Sequence, residues 1–138
     1  MSPIHVPIHV SSRYPVDRQR IRKQARKTLQ ENGITNEAEV GVEIAGDRKM
    51  AQLNQKFLQK EGTTDVLSFP LREATRQESE LEKEFVAVPC KKLRLGDVVV
   101  SYPQARKQAQ EHNLLVDEEI DRLIEHGVRH LLGIHHES

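Results

Sequence analysis

The stretch LGDVVVSYPQARKQAQEH, residues 95–112, is where the fold begins to be readable. Three consecutive valines, Val98 to Val100, form a short β-branched run of the kind that is buried within a sheet. Pro103 follows, and its fixed φ and missing N–H suit the first turn of a helix. Residues 104–112, QARKQAQEH, continue that helix, which ends near Asn113.

Working outward, TTDVLSFP (63–70) is a second β-rich run bounded by Gly62 and Pro70. Between these two strands lies a charged insertion at about 72–92, opening with REATRQESELEKE (72–84) and without a β pattern. Upstream, AEVGVEIAG (38–46) alternates with period two, and Asp47 opens the helix DRKMAQLNQKFLQ, whose Met50, Leu53 and Phe57 share a face. Ile21, Ala25 and Leu29 recur every fourth residue, a helix starting at Asp17 and stopping near ENG (31–33). IHVPIHVSS (4–12) reads as one edge strand, since Pro7 is ill placed in a central one. Downstream, Asp117 is the expected N-cap of a last helix with the apolar stripe Ile120, Leu123, Ile124, Val128 and Leu131, and Gly133 ends it. The order is strand, helix, strand, helix, strand, strand, helix, helix. It predicts one α+β domain over 1–138, with a mixed sheet of about four strands packed against helices.

The chain has 138 residues, 21 basic and 21 acidic side chains and no net charge, so any affinity for nucleic acid must come from charge placement. Residues 13–27, RYPVDRQRIRKQARK, supply it: seven cations against the single acid Asp17. Arg20, Lys23 and Lys27 project away from the apolar stripe, and Arg22 and Arg26 flank it. These five are the candidate RNA-binding residues. No apolar run is long enough to span a bilayer, the start lacks a signal-peptide pattern, and Cys90 has no partner for a disulfide. A soluble cytoplasmic protein with no membrane partner is expected.

Four of the seven histidines crowd into IEHGVRHLLGIHHES (124–138): His126, His130, His135 and His136. His126 and His130 are four apart, about 40° around a helix axis, on one shoulder of the apolar stripe. Such a pair is often accidental. His136 lies beyond Gly133, where a left-handed turn would bring a third imidazole back to the first two. Three imidazoles with an open fourth position describe a catalytic rather than a structural metal site. Gly127 occupies the place where HExxH peptidases carry their general base, which points to a different metal-assisted hydrolysis. That glycine costs about 1 kcal/mol in a helix, which a close neighbour would explain.

HGVRHLLGIHH (126–136) resembles the HGxLHLxGYDH signature of the YbeY family of metal-dependent endoribonucleases. TDVLSFP (64–70), preceded by LNQKF (53–57), and LGDVVVS (95–101) are similar to the family's other motifs, in the same order. The resemblance implies an α+β fold and His126, His130 and His136 as ligands of one divalent metal, zinc or alternatively nickel. It places Asp65 and Ser68 beside the site as candidate catalytic residues. It further implies single-stranded ribosomal RNA as substrate, 16S 3′-end maturation and ribosome quality control as the role, and the small ribosomal subunit with its associated factors as partners. Either a metal-activated water or the RNA's own 2′-hydroxyl would attack the phosphorus.

The chain departs from the family in several places. Leu58 stands where an Arg usually follows the aromatic of LNxxF, Glu61 replaces a nearby acid, His135 replaces an Asp, and two residues follow His136. A ribosome- or RNA-binding factor with a structural or vestigial metal is the alternative reading, and a metallohydrolase of another substrate class the third. Asp97 reads as a turn or supporting residue, and Glu119 as an acid able to orient a ligand on the same helix face.

Overall fold

The computed structural model describes residues 4–11, 13–35, 37–59, 62, 64–71 and 93–133. The 72–92 insertion, Glu61, Cys90, His135 and His136 lie outside the described residues. The elements are β1 (Ile4–His5), β2 (Ile8–Val10), α1 (Arg18–Glu31), β3 (Ala38–Ala45), α2 (Asp47–Leu58), β4 (Val66–Pro70), β5 (Leu93–Ser101), α3 (Tyr102–His112) and α4 (Val116–Leu131). The sheet is mixed and five-stranded. β1 and β2 lie in succession along one edge of β3, β3 runs parallel to β5, and β4 closes the other edge antiparallel to β5.

The valine run lies at the middle of this sheet. Val98 and Val100 face a core shared with α1, α3 and α4, while Val99 faces Ala45, Met50, Leu53, Leu67 and Phe69 on the α2 side. β5 is therefore covered on both faces, which is why its apolar pattern is continuous rather than alternating. Ile120, Leu123, Ile124, Val128 and Leu131 of α4 are all buried against the larger core. Each contributes about 1.5–3 kcal/mol relative to exposure, well above the cost of a single helical glycine.

Two expectations about elements need correction. The N-terminal strand is interrupted at Val6–Pro7: Pro7 has no N–H to donate, but its carbonyl accepts from the Val42 N–H at 3.0 Å, so pairing resumes with Ile8. The last helix starts at Val116 with Leu115 as N-cap, so Asp117 sits in its first turn. There the Glu118 carboxylate reaches back to accept the Leu115 N–H at 2.9 Å, which closes the first turn two residues ahead of Asp117.

The edge formed by β1 and β2 is held by a row of arginines four residues apart on α1. Arg18 donates to the Ile8 carbonyl at 3.1 Å, Arg22 to Val6 at 3.2 Å and Arg26 to Ile4 at 3.1 Å. Carbonyls on the two short strands and in the break between them are thereby satisfied by charged donors from the helix beside them.

Candidate functional site

α4 positions the histidine pair. A Cβ on Gly127 would lie 2.5 Å from Val98 Cγ1 and 3.2 Å from Val66 Cγ2, so only glycine lets the helix rest this closely on β4 and β5. The Ser68 hydroxyl donates to the Gly127 carbonyl at 2.9 Å, fastening the helix to β4 one residue from His126. His126 and His130 consequently project together: their ring centroids are 4.3 Å apart with 41° between the planes, and both residues are exposed.

Adjacent imidazoles at this separation suit two neighbouring positions around one small cation, whose bonds to ring nitrogens are about 2.0–2.1 Å. The donor chemistry therefore fits a zinc-like ion. Among the described residues no group of three or more His, Cys, Asp or Glu side chains is disposed to hold a metal. A third protein ligand, expected at His136, belongs to the residues not described.

A hollow of about 660 Å³ opens beside His126, lined also by Asp65, Gln108, His112, Arg122 and Arg129. Asp65 is held at both carboxylate oxygens: Oδ1 accepts the Val66 N–H at 2.8 Å and Oδ2 accepts from Gln108 Nε2 at 3.1 Å. Asp65 thus shares the hollow with His126, whereas the hydroxyl hydrogen of Ser68 is committed to the helix backbone.

Glu119 does not orient His126. It is almost completely buried, and its Oε1 receives Arg122 Nη1 at 3.1 Å and meets His112 Nδ1 at 3.3 Å. The contact of His112 with Glu119 joins α3 to α4 and carries no local signal, whereas Glu119 and Arg122 are three residues apart on α4, a spacing visible in the sequence. Leu58, the last residue of α2, is exposed. Asp97 is not in a turn but in mid-strand, opposite Gly41 and Phe69. There it faces a separate hollow of about 430 Å³ on the α2 side, with Phe57 and the Glu43–Lys49 ion pair.

The five basic candidates separate into two groups. Arg22 and Arg26 bond to the β1–β2 edge as described. Arg20, Lys23 and Lys27 line a third hollow, of about 490 Å³, with both lysines exposed. Arg20 pairs with Asp121 at 2.9 Å, and that hydrogen bond together with the Asp121 charge raises its pKa further above the ordinary arginine value. Asp121 precedes His126 by five residues, about 140° around α4, so the basic face and the histidine pair look outward in different directions.

Comparison with known proteins supplies independent information. The family described as Endoribonuclease YbeY matches residues 8–138. The chain is 35% identical over 139 residues to a protein named Endoribonuclease YbeY from Dehalococcoides mccartyi strain CBDB1, covering 97% of this chain and 84% of the relative. It is 38% identical over 123 residues to the protein of that name from Aquifex aeolicus strain VF5, covering 89% and 72%. Among solved structures, a solution structure of a Thermotoga maritima protein superposes with a TM-score of 0.54 at 22% identity, covering 96% of this chain and 75% of the other. That last likeness speaks to the fold alone.

Proposed function

The chain belongs to the endoribonuclease YbeY family, and from that premise we propose that it is a metal-dependent, single-strand-specific endoribonuclease of ribosomal RNA. Its role would be maturation of the 16S 3′ end and ribosome quality control in the cytoplasm, on or near the small ribosomal subunit and its associated factors. The observation that carries this reading is the pair of exposed rings of His126 and His130, the first of which lines a hollow shared with Asp65. His126, His130 and His136 would hold one divalent ion, zinc in preference to nickel. An ion held there would supply Lewis acidity toward a phosphoryl oxygen and the attacking hydroxyl.

The chain's own groups do the rest. Asp65, immobilised by the Val66 N–H and Gln108, would accept the proton that leaves the attacking oxygen, whether that oxygen is water or the 2′-hydroxyl. Ser68 positions rather than reacts, through its bond to Gly127. Lys23 and Lys27, with Arg20, offer the phosphate-binding face on α1. Single-strand preference follows from the need to bring one backbone into the hollow.

The test is cleavage of a labelled unstructured RNA against the same RNA in a duplex, before and after a chelator and after zinc is restored. Selective cleavage that disappears and returns with the metal supports the proposal; equal cleavage of both forms, or indifference to the chelator, rejects it. The exposed apolar Leu58 favours the second reading, an RNA-binding factor with little turnover. Leu58→Arg should raise cleavage at unchanged stability if the site is catalytic, and leave it unchanged if the chain only binds.

A further inference from the structure

Burying a carboxylate is unfavourable unless paired charges and hydrogen bonds compensate it. Glu119 meets that condition in a directional way: its side chain is 2% exposed, whereas the two groups on it, Arg122 and His112, are 58% and 48% exposed. Arg122 Nη1 also lies 3.1 Å from His112 Nδ1. The negative charge therefore sits beneath and the guanidinium faces the hollow. A guanidinium tied at one Nη keeps its remaining N–H donors for an outside acceptor, in the fork that matches phosphate oxygens.

The position is as informative as the charge. Arg122 and His126 are four residues apart on α4, so their backbone positions are about 6 Å apart along the axis and their side chains leave nearly the same face. That is one nucleotide's stretch along an extended strand. On the other side of His126, the partly exposed Arg129 guanidinium approaches Glu125 only at 3.8 Å through Nη1. Both arginines line the hollow that contains His126. Four acids, Asp65, Glu111, Glu119 and Glu125, line it too, the buried Glu119 being the one paired with Arg122 and His112. Of these, Asp65 is held by the Val66 N–H and Gln108, and Glu125 lies near Arg129. We infer that Arg122, braced by Glu119 and His112, forms a phosphate subsite for the RNA nucleotide adjacent to the one at the histidine pair, with Arg129 as a second donor on the opposite side.

The inference rests on the ribonuclease reading and deepens it. Arg122 is a substrate-binding residue and Glu119 a positioning residue behind it. The experiment measures binding of a short fluorescent single-stranded RNA across a salt series with the protein kept in chelator, then steady-state cleavage with metal restored. Arg122→Ala is expected to weaken binding about tenfold and to reduce the salt slope by about one phosphate contact. In cleavage it should raise KM with little change in kcat, because this phosphate is held alike before and during the reaction. Arg122→Lys should recover part of the affinity, and Glu119→Gln should weaken binding less than Arg122→Ala, each with an unchanged circular-dichroism spectrum. Wild-type binding and salt slope in a folded Arg122→Ala protein overturn the subsite while leaving the ribonuclease reading standing. A wild-type protein that neither binds nor cleaves RNA overturns both.

Discussion

Replacing Gly127 with Ala tests whether the approach of α4 to the sheet sets the site. Helix propensity alone predicts stabilisation by about 1 kcal/mol. The structure predicts the opposite. The new Cβ would lie 2.5 Å from Val98 Cγ1 and 3.2 Å from Val98 Cγ2 and Val66 Cγ2. Val98 is fully buried on the central strand and β-branched, so it has little freedom to turn away. Restoring ordinary contact requires α4 to lift by about 1 Å, an overpacking strain of about 1–3 kcal/mol. The lift also stretches the 2.9 Å bond from Ser68 to the Gly127 carbonyl, which contributes about 1 kcal/mol. Offset by the propensity gain, the net loss is about 1–3 kcal/mol, or about 4–12 °C in Tm for a domain of this size. Urea denaturation with circular dichroism reads the first quantity and a thermal melt the second. In the Gly127→Ala background, Val98→Ala should cost less than it does alone, a coupling above about 1 kcal/mol. A Gly127→Ala protein as stable as wild type, or additive behaviour in that cycle, refutes the reasoning.

Other perturbations separate structural from functional roles. Ser68→Ala should cost about 1 kcal/mol by urea denaturation and leave kcat within a few-fold, since its hydroxyl serves the helix backbone; a collapse of kcat at full stability would make Ser68 catalytic. Arg22→Ala combined with Arg26→Ala should lower stability by about 2 kcal/mol and speed amide exchange at the β1–β3 pairing. Unchanged stability with weaker RNA binding would return both residues to the RNA face.

The succession of strands and helices and the mixed sheet were readable because local pattern and burial agree at most elements: the valine run, the Ile21–Ala25–Leu29 stripe and the stop at Asn113 each follow from short-range physics, whereas the order of strands in the sheet depends on long-range pairing. The break at Pro7 was readable only in part, since the proline warned of an edge but not that its carbonyl would bridge two strands to Val42. The four-residue spacing of Arg18, Arg22 and Arg26 was visible. What they bind was not, because the acceptors are backbone carbonyls that carry no side-chain signal. The His126–His130 pairing followed from helix geometry, and the cost of Gly127 pointed to a close neighbour without naming Val98. The Glu119–Arg122 step is an i,i+3 pair within α4, but the contact of His112 with Glu119 depends on how α3 docks beside α4, which no single-helix pattern encodes.

The most direct measurement compares wild-type protein with His126→Ala/His130→Ala for metal content by elemental analysis and, on the same samples, for cleavage of unstructured RNA. The account predicts one divalent ion per wild-type chain and RNA cleavage, with both lost in the folded double variant because the adjoining rings would be two of the ion's proposed ligands. Cleavage at the wild-type rate by a double variant devoid of metal would contradict it.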